Sequence, residues 1–341
     1  PLIGKFILPW FGGSPAVWTT CMLFFQIVLL GGYAYAHWLT TWIKPQKQAA
    51  LHCLLLLAAV SFLPIIPGDQ WKPEPGTEPT GHILILLLAT IGLPYFVLST
   101  TGPLIQKWFS WLHPGKSPYR LYALSNIGSL LALLSYPFII EPLLSRKQQA
   151  AVWTLGLFVF VGACAWCAYR LWLWGKDKDA PVKNFEMTDA ASAVPTPPGR
   201  QLLWLLLPAC ASALLLATTN KLCQDIAVVP FLWILPLSCY LLTFILCFES
   251  DIWYRRRIFY PLYIAGIPVI TWIIGNVDDV GMVWQISAFM TLLFASCMIC
   301  HGELHRLRPH PRHLTRFYLM ISLGGALGGL FVAVGAPNIW L

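Results

Sequence analysis

Long apolar runs recur about ten times along this chain, and a short polar segment bounds almost every one of them. A bilayer core requires roughly 20 consecutive apolar residues from a helix that crosses it. Hydrophobic residues make up 57% of the 341 residues and charged residues only 11%, whereas soluble domains carry about 25% charge. In lipid, each segment must satisfy its own backbone polar groups, so these runs must be helices. The sequence therefore predicts an all-α, polytopic transmembrane helical bundle.

The pattern predicts about 11 spans, the first of them partial because it has half the required length. We place them at 1–10, 16–40, 50–66, 82–108, 119–140, 150–175, 201–219, 228–248, 258–275, 283–301 and 317–336. The chain begins without a methionine and ends just past an apolar run, so we expect further elements outside it. The polar, proline-containing segment 176–199 cannot bury a core and reads as a linker. It is predicted to divide the chain into an N-terminal half, 1–175, and a C-terminal half, 200–341, from which we expect the last helix or helices to be missing.

The distribution of lysine and arginine predicts the orientation, because cytoplasmic loops carry an excess of both. Alternate loops hold 17 of the 22 basic residues: Lys44, Lys47, Lys107, Lys116, Arg120, Arg170, Lys176, Lys178, Lys183, Arg200, Arg255, Arg256, Arg257, Arg306, Arg308, Arg312 and Arg316. Only five fall on the other side, where loop 67–81 is acidic. We expect a multi-pass protein of the cell inner (plasma) membrane with linker 176–199 in the cytoplasm. The basic residues form no groove-sized patch, which argues against nucleic acid as a partner.

Two sequence patterns occur once in each predicted half. Pro15-x-x-Trp18 and Pro230-x-x-Trp233 each precede a long span, and the sequences YALSNIGSLLA and YLMISLGGALG begin at Tyr122 and Tyr318. Equivalent helices in the same order and direction form a parallel repeat, the relation between the halves of major-facilitator transporters. The sequence therefore predicts a major-facilitator-like bundle of two pseudo-repeated halves.

Several motifs resemble the membrane region of fused spermidine-synthase-like proteins. They are GGSPAVWTTC at 12–21, FFQ at 24–26, GYAYAH at 32–37, LYALSNIG at 121–128, CHGEL at 300–304 and FYLMISLGG at 317–325. The resemblance covers nearly the whole chain. It implies a major-facilitator-like bundle that is normally joined to a soluble aminopropyltransferase-type, nucleoside-binding domain. These residues contain no strand followed by a glycine-rich nucleotide-binding turn, so the enzymatic chemistry of that family is assigned to no residue here.

Span 82–108 and its neighbour 119–140 carry the densest uncharged polar groups at membrane depth. We interpret them as candidate ligand-binding residues: Ser99, Thr100, Thr101, Gln106, Tyr122 and Asn126. Pro94, Gly102 and Pro103 are expected to break the first of these spans, and broken helices often line the cavities of transporters. The alternatives are a proline kink whose freed carbonyls are satisfied by Ser and Thr, and hydrogen bonds that join two helices.

Other motifs favour packing over chemistry. Cys297-x-x-Cys300-His301 matches the covalent haem-attachment pattern, but its helical and predicted cytoplasmic context favours helix packing. The histidines between 301 and 313 lack the spacing of a metal site, so we expect neither a metal nor another cofactor. The G-x-x-x-G spacings between 324 and 329 predict close packing of helices, at a fixed or a moving interface. Lys221 and Asp225 are expected to pair along one helix.

Three classes of function remain open. The first is a transporter-like or solute-binding bundle, whose lack of buried charge favours a neutral, weakly polar or lipid-like solute. The second is the membrane-anchoring module of a spermidine-synthase-like enzyme with its catalytic domain outside these residues. The third is an accessory subunit that packs against other membrane subunits. The sequence holds no catalytic constellation, and the bilayer is the one partner that it predicts directly.

Overall fold

The computed structural model describes residues 2–12, 15–73, 79–176, 197–225, 230–336 and 338. Helices make up most of the described residues, and none of those residues lies in a strand. Eight of the helices are long and apolar enough to cross a membrane. The prediction of an all-α, polytopic helical bundle is confirmed. The linker lies almost entirely outside the described residues, as do part of loop 67–81 and the side chain of Asp225.

Eleven helices, numbered here in chain order, account for the described helical segments. They are α1 (Gly4–Phe11), α2 (Pro15–Trp42), α3 (Pro45–Val60), α4 (Pro79–Leu112), α5 (Tyr119–Leu143), α6 (Arg146–Lys176), α7 (Pro198–Asp225), α8 (Pro230–Glu249), α9 (Arg256–Gly275), α10 (Met282–Arg306) and α11 (Leu314–Leu330). A 3₁₀ turn (Pro311–His313) precedes α11, and a π-helical turn (Phe331–Gly335) continues it.

Proline sets many of the helix starts. The helices α2, α3, α4, α7 and α8 each begin at a proline, whose fixed φ suits the first helical turn and whose missing N–H costs nothing there. The turn between α4 and α5 needs a left-handed residue, and Gly115 supplies it with φ of +83°. The prolines of the two Pro-x-x-Trp sequences, Pro15 and Pro230, are the first residues of α2 and α8.

Several predicted spans differ from the structure. Helix α7 ends at Asp225 and α10 at Arg306, beyond the predicted ends 219 and 301, and two further differences have a local cause. Helix α3 begins at Pro45 and ends at Val60, several residues before the predicted span 50–66. The shift is possible because Gln48 is buried and satisfied inside the helix, where its amide bonds the carbonyl of Ile43 and the indole N–H of Trp108. The span predicted to be broken is a continuous helix, α4. A π-helical turn (Leu88–Gly92) absorbs the distortion before Pro94, and Pro103 lies inside the helix.

Part of the helix pairing follows a pattern that the predicted repeat would give. The most extensive contact joins α7 to α11 within the C-terminal half, and the next most extensive join α2 to both α4 and α11, and α8 to both α5 and α10. In the predicted repeat α2 corresponds to α8, α4 to α10 and α5 to α11. The contact of α2 with α4 is then equivalent to that of α8 with α10, and the contact of α2 with α11 is equivalent to that of α8 with α5. Across the boundary between the halves, α2 therefore packs against α11 and α5 packs against α8.

Helices α5 and α11 run in the same direction across the bundle, as a parallel repeat requires. Tyr119, in the first turn of α5, contacts the rings of Phe317 and Tyr318 in the first turn of α11. The Tyr119 hydroxyl also donates a 2.6 Å hydrogen bond to the carbonyl of Pro309, just before α11. The first turns of both helices are therefore at the same end, which we call the basic end because the arginine-rich loops lie there.

Many large apolar side chains on the outer helices are exposed. On α5 they include Leu124, Leu131 and Phe138, each more than 60% exposed, and on α9 they include Ile264 and Trp272. Apolar faces of this extent would be a liability in water but are suited to lipid. The eight apolar helices and these faces identify an integral membrane protein.

Candidate functional site

The rings of Tyr122 on α5 and Tyr318 on α11 stack at the boundary between the halves, close to the starts of these helices and therefore toward the basic end. Their centroids are 4.7 Å apart and their planes differ by 23°. Phe244 and Phe248 of α8 meet Tyr122 edge-on, and Tyr33 of α2 lies 6.4 Å from Tyr318. These five residues, one or two from each of α2, α5, α8 and α11, are called the aromatic cluster below. Helices from both halves thus converge on one set of aromatic rings.

Helix α4 adds a buried amide to the aromatic cluster. The hydroxyl of Tyr318 donates a 2.7 Å hydrogen bond to Oε1 of Gln106, and both side chains are almost fully buried. A buried amide and phenol without partners would each cost free energy, so this bond fixes both groups in place. Of the predicted ligand-binding residues, Gln106 and Tyr122 are therefore brought together, through Tyr318.

The other predicted residues lie elsewhere on their helices. The hydroxyls of Ser99, Thr100 and Thr101 donate to carbonyls one turn back on α4. Thr101 also lies 3.2 Å from Nε2 of His52 on α3, and Ser99 lies directly against Gly32 of α2.

Ser99 and Thr101 thus connect α4 to α2 and α3 within the N-terminal half, away from the boundary between the halves. Asn126 is half-buried and donates to the carbonyl of Tyr122 in its own helix. A ligand contact at these four positions stays a prediction.

Two histidines that the sequence did not select contribute to the boundary region. Nδ1 of His37 on α2 lies 3.0 Å from the hydroxyl of Thr315 on α11, and Thr40 reaches the same hydroxyl at 3.4 Å. His301 is fully buried on α10, stacked 3.6 Å from Phe244 and hydrogen-bonded through Nδ1 to Thr243. Its Nε2 has no hydrogen-bond partner among the described residues. The sequence places His301 at the end of predicted span 283–301, but it cannot show that Phe244 and Thr243 of α8 cover its side chain.

The four glycines between 324 and 329 face different neighbours. An added Cβ at Gly324 or Gly328 would meet the backbone of Leu205 or Ala209 on α7, so these two glycines allow α7 and α11 to touch within the C-terminal half. Gly329 instead faces the side chain of Gln26 on α2, across the boundary. A side chain at Gly325 would meet nothing within 4 Å. Gly324 and Gly328 therefore provide the close packing that their spacing predicts, which a fixed and a moving interface would both require.

A second concave site lies at the basic end of the C-terminal half. It is a pocket of about 610 Å³ between the end of α8, the start of α9 and the end of α10. Four arginines and His305 line it, with one carboxylate, Asp251: the arginines are Arg255, Arg256, Arg306 and Arg308. This site is called the arginine pocket below.

Among the described residues, no group of three His, Cys, Asp or Glu side chains is arranged to hold a metal ion. Cys297 and Cys300 both lie inside α10 with buried side chains, where they pack against α7 and α8. That placement agrees with the helix-packing interpretation of the Cys-x-x-Cys-His sequence.

No protein-family model matches this chain, and no curated protein matches its sequence. The resemblance to fused spermidine-synthase-like proteins therefore remains an expectation from the motifs. The class of the protein, an integral membrane protein with a multi-pass helical bundle, rests on the helices themselves.

Proposed function

We propose that this protein is a transporter-like or solute-binding bundle of the inner membrane, built from two major-facilitator-like halves that move against each other. The observation that carries the proposal is the aromatic cluster, on which two helices from each half converge around the buried Gln106–Tyr318 hydrogen bond. A ligand between the halves would displace ring contacts and a few neutral hydrogen bonds. Such contacts can re-form when the ligand leaves.

The chemistry of the boundary favours a neutral, weakly polar or lipid-like solute. Its described polar groups include the phenols, the amides of Gln26 and Gln106, and the side chains of His37, Thr40, Thr315 and Ser322. The hydroxyl of Ser322 is buried, one turn beyond Tyr318 on α11, and has no hydrogen-bond partner among the described residues. Lys107 lies nearer the basic end, where its ammonium group donates to the carbonyl of Arg312. Phenols, amides and rings suit uncharged solutes, since an unpaired ionic solute would be costly in this setting.

The basic end is proposed to face the cytoplasm. The arginine-rich loops that the sequence predicts to be cytoplasmic meet at this end of the bundle. Arg200 donates to the carbonyl of Leu307, and Arg120 pairs with Glu249 at 3.0 Å. The positive-inside tendency supports a cytoplasmic orientation for such an end.

The proposal can be tested without knowing the solute, by locking the boundary. The hydroxyls of Thr40 and Thr315 lie 3.4 Å apart, so cysteines at these positions are close enough to form a disulfide. In a variant that lacks the ten native cysteines, Thr40→Cys/Thr315→Cys would lock α2 to α11 at the basic end. Ser322→Cys reports whether water reaches the boundary, since its side chain is buried in the closed state.

A water-soluble maleimide should label Ser322→Cys in inside-out vesicles when the engineered pair is reduced, and much more slowly when it is oxidised. The same oxidant should not change labelling when only Thr40→Cys is present, which is the matched control. If Ser322→Cys is unreactive from both sides of the membrane in the folded, reduced protein, the halves do not open. A static membrane module, either an enzyme anchor or an accessory subunit, would then be the better description.

A further inference from the structure

The arginine pocket contains more positive charge than its own carboxylates neutralise. Arg256 makes a two-pronged ion pair with Glu303, with Nε to Oε1 at 2.6 Å and Nη2 to Oε2 at 2.5 Å. Arg308 lies 3.6 Å from Asp251. Arg255 has no ion-pair partner among the described residues, and Arg306 only approaches the occupied Glu303, at 3.9 Å. Two guanidinium groups at the pocket are therefore left without a carboxylate of their own.

The start of α9 makes this excess of charge more unusual. Residues 255–257 are three consecutive arginines at the N-terminus of a 20-residue helix, with no acidic residue in its first turn and no side-chain cap. The N-terminus of a helix carries partial positive charge and unpaired backbone N–H groups, so cations there are unfavourable and anions are favourable. An anion bound at this point would reduce the repulsion among the arginines. It would also accept hydrogen bonds from the unpaired N–H groups at the start of α9.

The walls of the pocket hold the arginines in place. The Tyr254 hydroxyl donates a 2.6 Å hydrogen bond to Glu303, and the Tyr254 ring packs directly on Gly302, where any side chain would collide with it. Burial, reinforced by the bonded carboxylate of Glu303, raises the pKa of the Tyr254 phenol, which therefore remains a donor. Tyr254 and Arg256 together fix Glu303, so Glu303 is not available to cancel the charge of the other arginines.

We propose that the arginine pocket binds a phosphate-bearing anion, either the headgroup of an anionic lipid or a soluble phosphate compound. Guanidinium groups match phosphate oxygens with paired hydrogen bonds, and a phosphate monoester carries close to two negative charges at neutral pH. That charge matches the two arginines left in excess, and the phosphodiester headgroup of an anionic lipid, with one negative charge, would neutralise one of them. A volume of about 610 Å³ accommodates a phosphate with a further group attached. The pocket shares no residue with the aromatic cluster, although the ring of its His305 lies 5.0 Å from that of Phe248. The proposal does not depend on transport.

The test uses the full chain in nanodiscs and measures its thermal unfolding midpoint. One arm titrates inorganic phosphate against chloride of equal ionic strength in phosphatidylcholine nanodiscs. The other arm replaces part of the phosphatidylcholine by phosphatidylglycerol at constant salt. The test variant is Arg255→Gln/Arg306→Gln, which removes the two excess charges. The matched control is Lys116→Gln/Arg170→Gln, which removes two exposed charges from the basic end of the N-terminal half.

A rise in midpoint that the control retains and the test variant loses supports the proposal. In the phosphate arm, the test variant has lost the response when its half-saturating phosphate concentration is about tenfold or more above that of the wild type. A response to inorganic phosphate identifies a soluble ligand, and a response confined to phosphatidylglycerol identifies a lipid headgroup. The proposal is overturned if neither probe raises the midpoint of the wild type, or if the wild type, test and control proteins respond alike. Should the double variant fail to fold, Arg255→Gln alone applies the same criteria, because that side chain is exposed and unpaired in the described structure.

Discussion

Tyr122 and Tyr318 lie ring on ring, with centroids 4.7 Å apart, and they are the two residues that the predicted repeat makes equivalent. In a parallel repeat the axis that relates the halves runs along the membrane normal. Equivalent residues can touch each other only beside that axis. An axis of this repeat would therefore pass between the two tyrosine rings.

The hydrogen bond between Gln106 and Tyr318 predicts a non-additive pair of substitutions. Gln106→Leu and Tyr318→Phe should each lower the free energy of unfolding by about 1–3 kcal/mol, because each leaves a buried polar group without its partner. The double variant should cost less than the sum, with a coupling of about 0.5–3 kcal/mol. Unfolding of the four proteins in the same detergent measures this cycle. If the free-energy losses of the two single variants add up to that of the double variant, the hydrogen bond contributes no coupling energy to stability.

The two glycine roles on α11 predict opposite outcomes for neighbouring substitutions. Gly328→Ala should destabilise the protein by about 1–3 kcal/mol, because its methyl group would enter the backbone of Ala209 on α7. Gly325→Ala should be neutral or slightly stabilising, because its methyl group meets nothing within 4 Å and alanine favours a helix. Thermal midpoints of both variants test the difference. Equal losses from the two substitutions would contradict the assignment of faces.

The existence of the helices was predictable, and their limits were less so. Apolar runs set by bilayer thickness predict spans well, since a membrane helix must satisfy all its backbone bonds internally. The start of α3 was missed because Gln46, Lys47 and Gln48 read as a polar loop. In the structure they form the first turns of a helix that begins at Pro45, with Gln48 bonded to Trp108. Tertiary partners decided that boundary.

The candidate site was predictable only in part. Polar residues at membrane depth drew attention to Gln106 and Tyr122, which do meet at the boundary, but also to Ser99, Thr100 and Thr101. These three hydroxyls satisfy themselves on the preceding turn of α4, an alternative that residue type alone cannot distinguish. His301 and the arginine pocket were not selected. Their significance depends on contacts between residues far apart in sequence, such as His301 with Thr243.

The orientation of the bundle predicts which end an impermeant thiol reagent can reach. In the cysteine-free variant, Lys116→Cys lies in an exposed turn at the basic end, and Gln70→Cys lies in the exposed loop at the other end. In intact cells the reagent should modify Gln70→Cys and leave Lys116→Cys unmodified until the membrane is opened. The reverse result would invert the proposed topology, and permeabilised cells, in which both sites should react, supply the control.

The ion pair between Arg120 of α5 and Glu249 of α8 predicts a change in opening without a large change in stability. Its side chains are 73% and 43% exposed, and exposed pairs contribute at most about 1 kcal/mol. Arg120→Glu would place two carboxylates opposite each other at the basic end of the boundary, which should favour separation of the halves there. Labelling of Ser322→Cys from that end should become about two- to fivefold faster, since 1 kcal/mol corresponds to roughly a fivefold change in population. The exchanged variant, Arg120→Glu/Glu249→Arg, restores opposite charges and should return the rate to that of the parent. An unchanged rate in Arg120→Glu, with the parent itself reactive, would show that this contact does not hold the halves together.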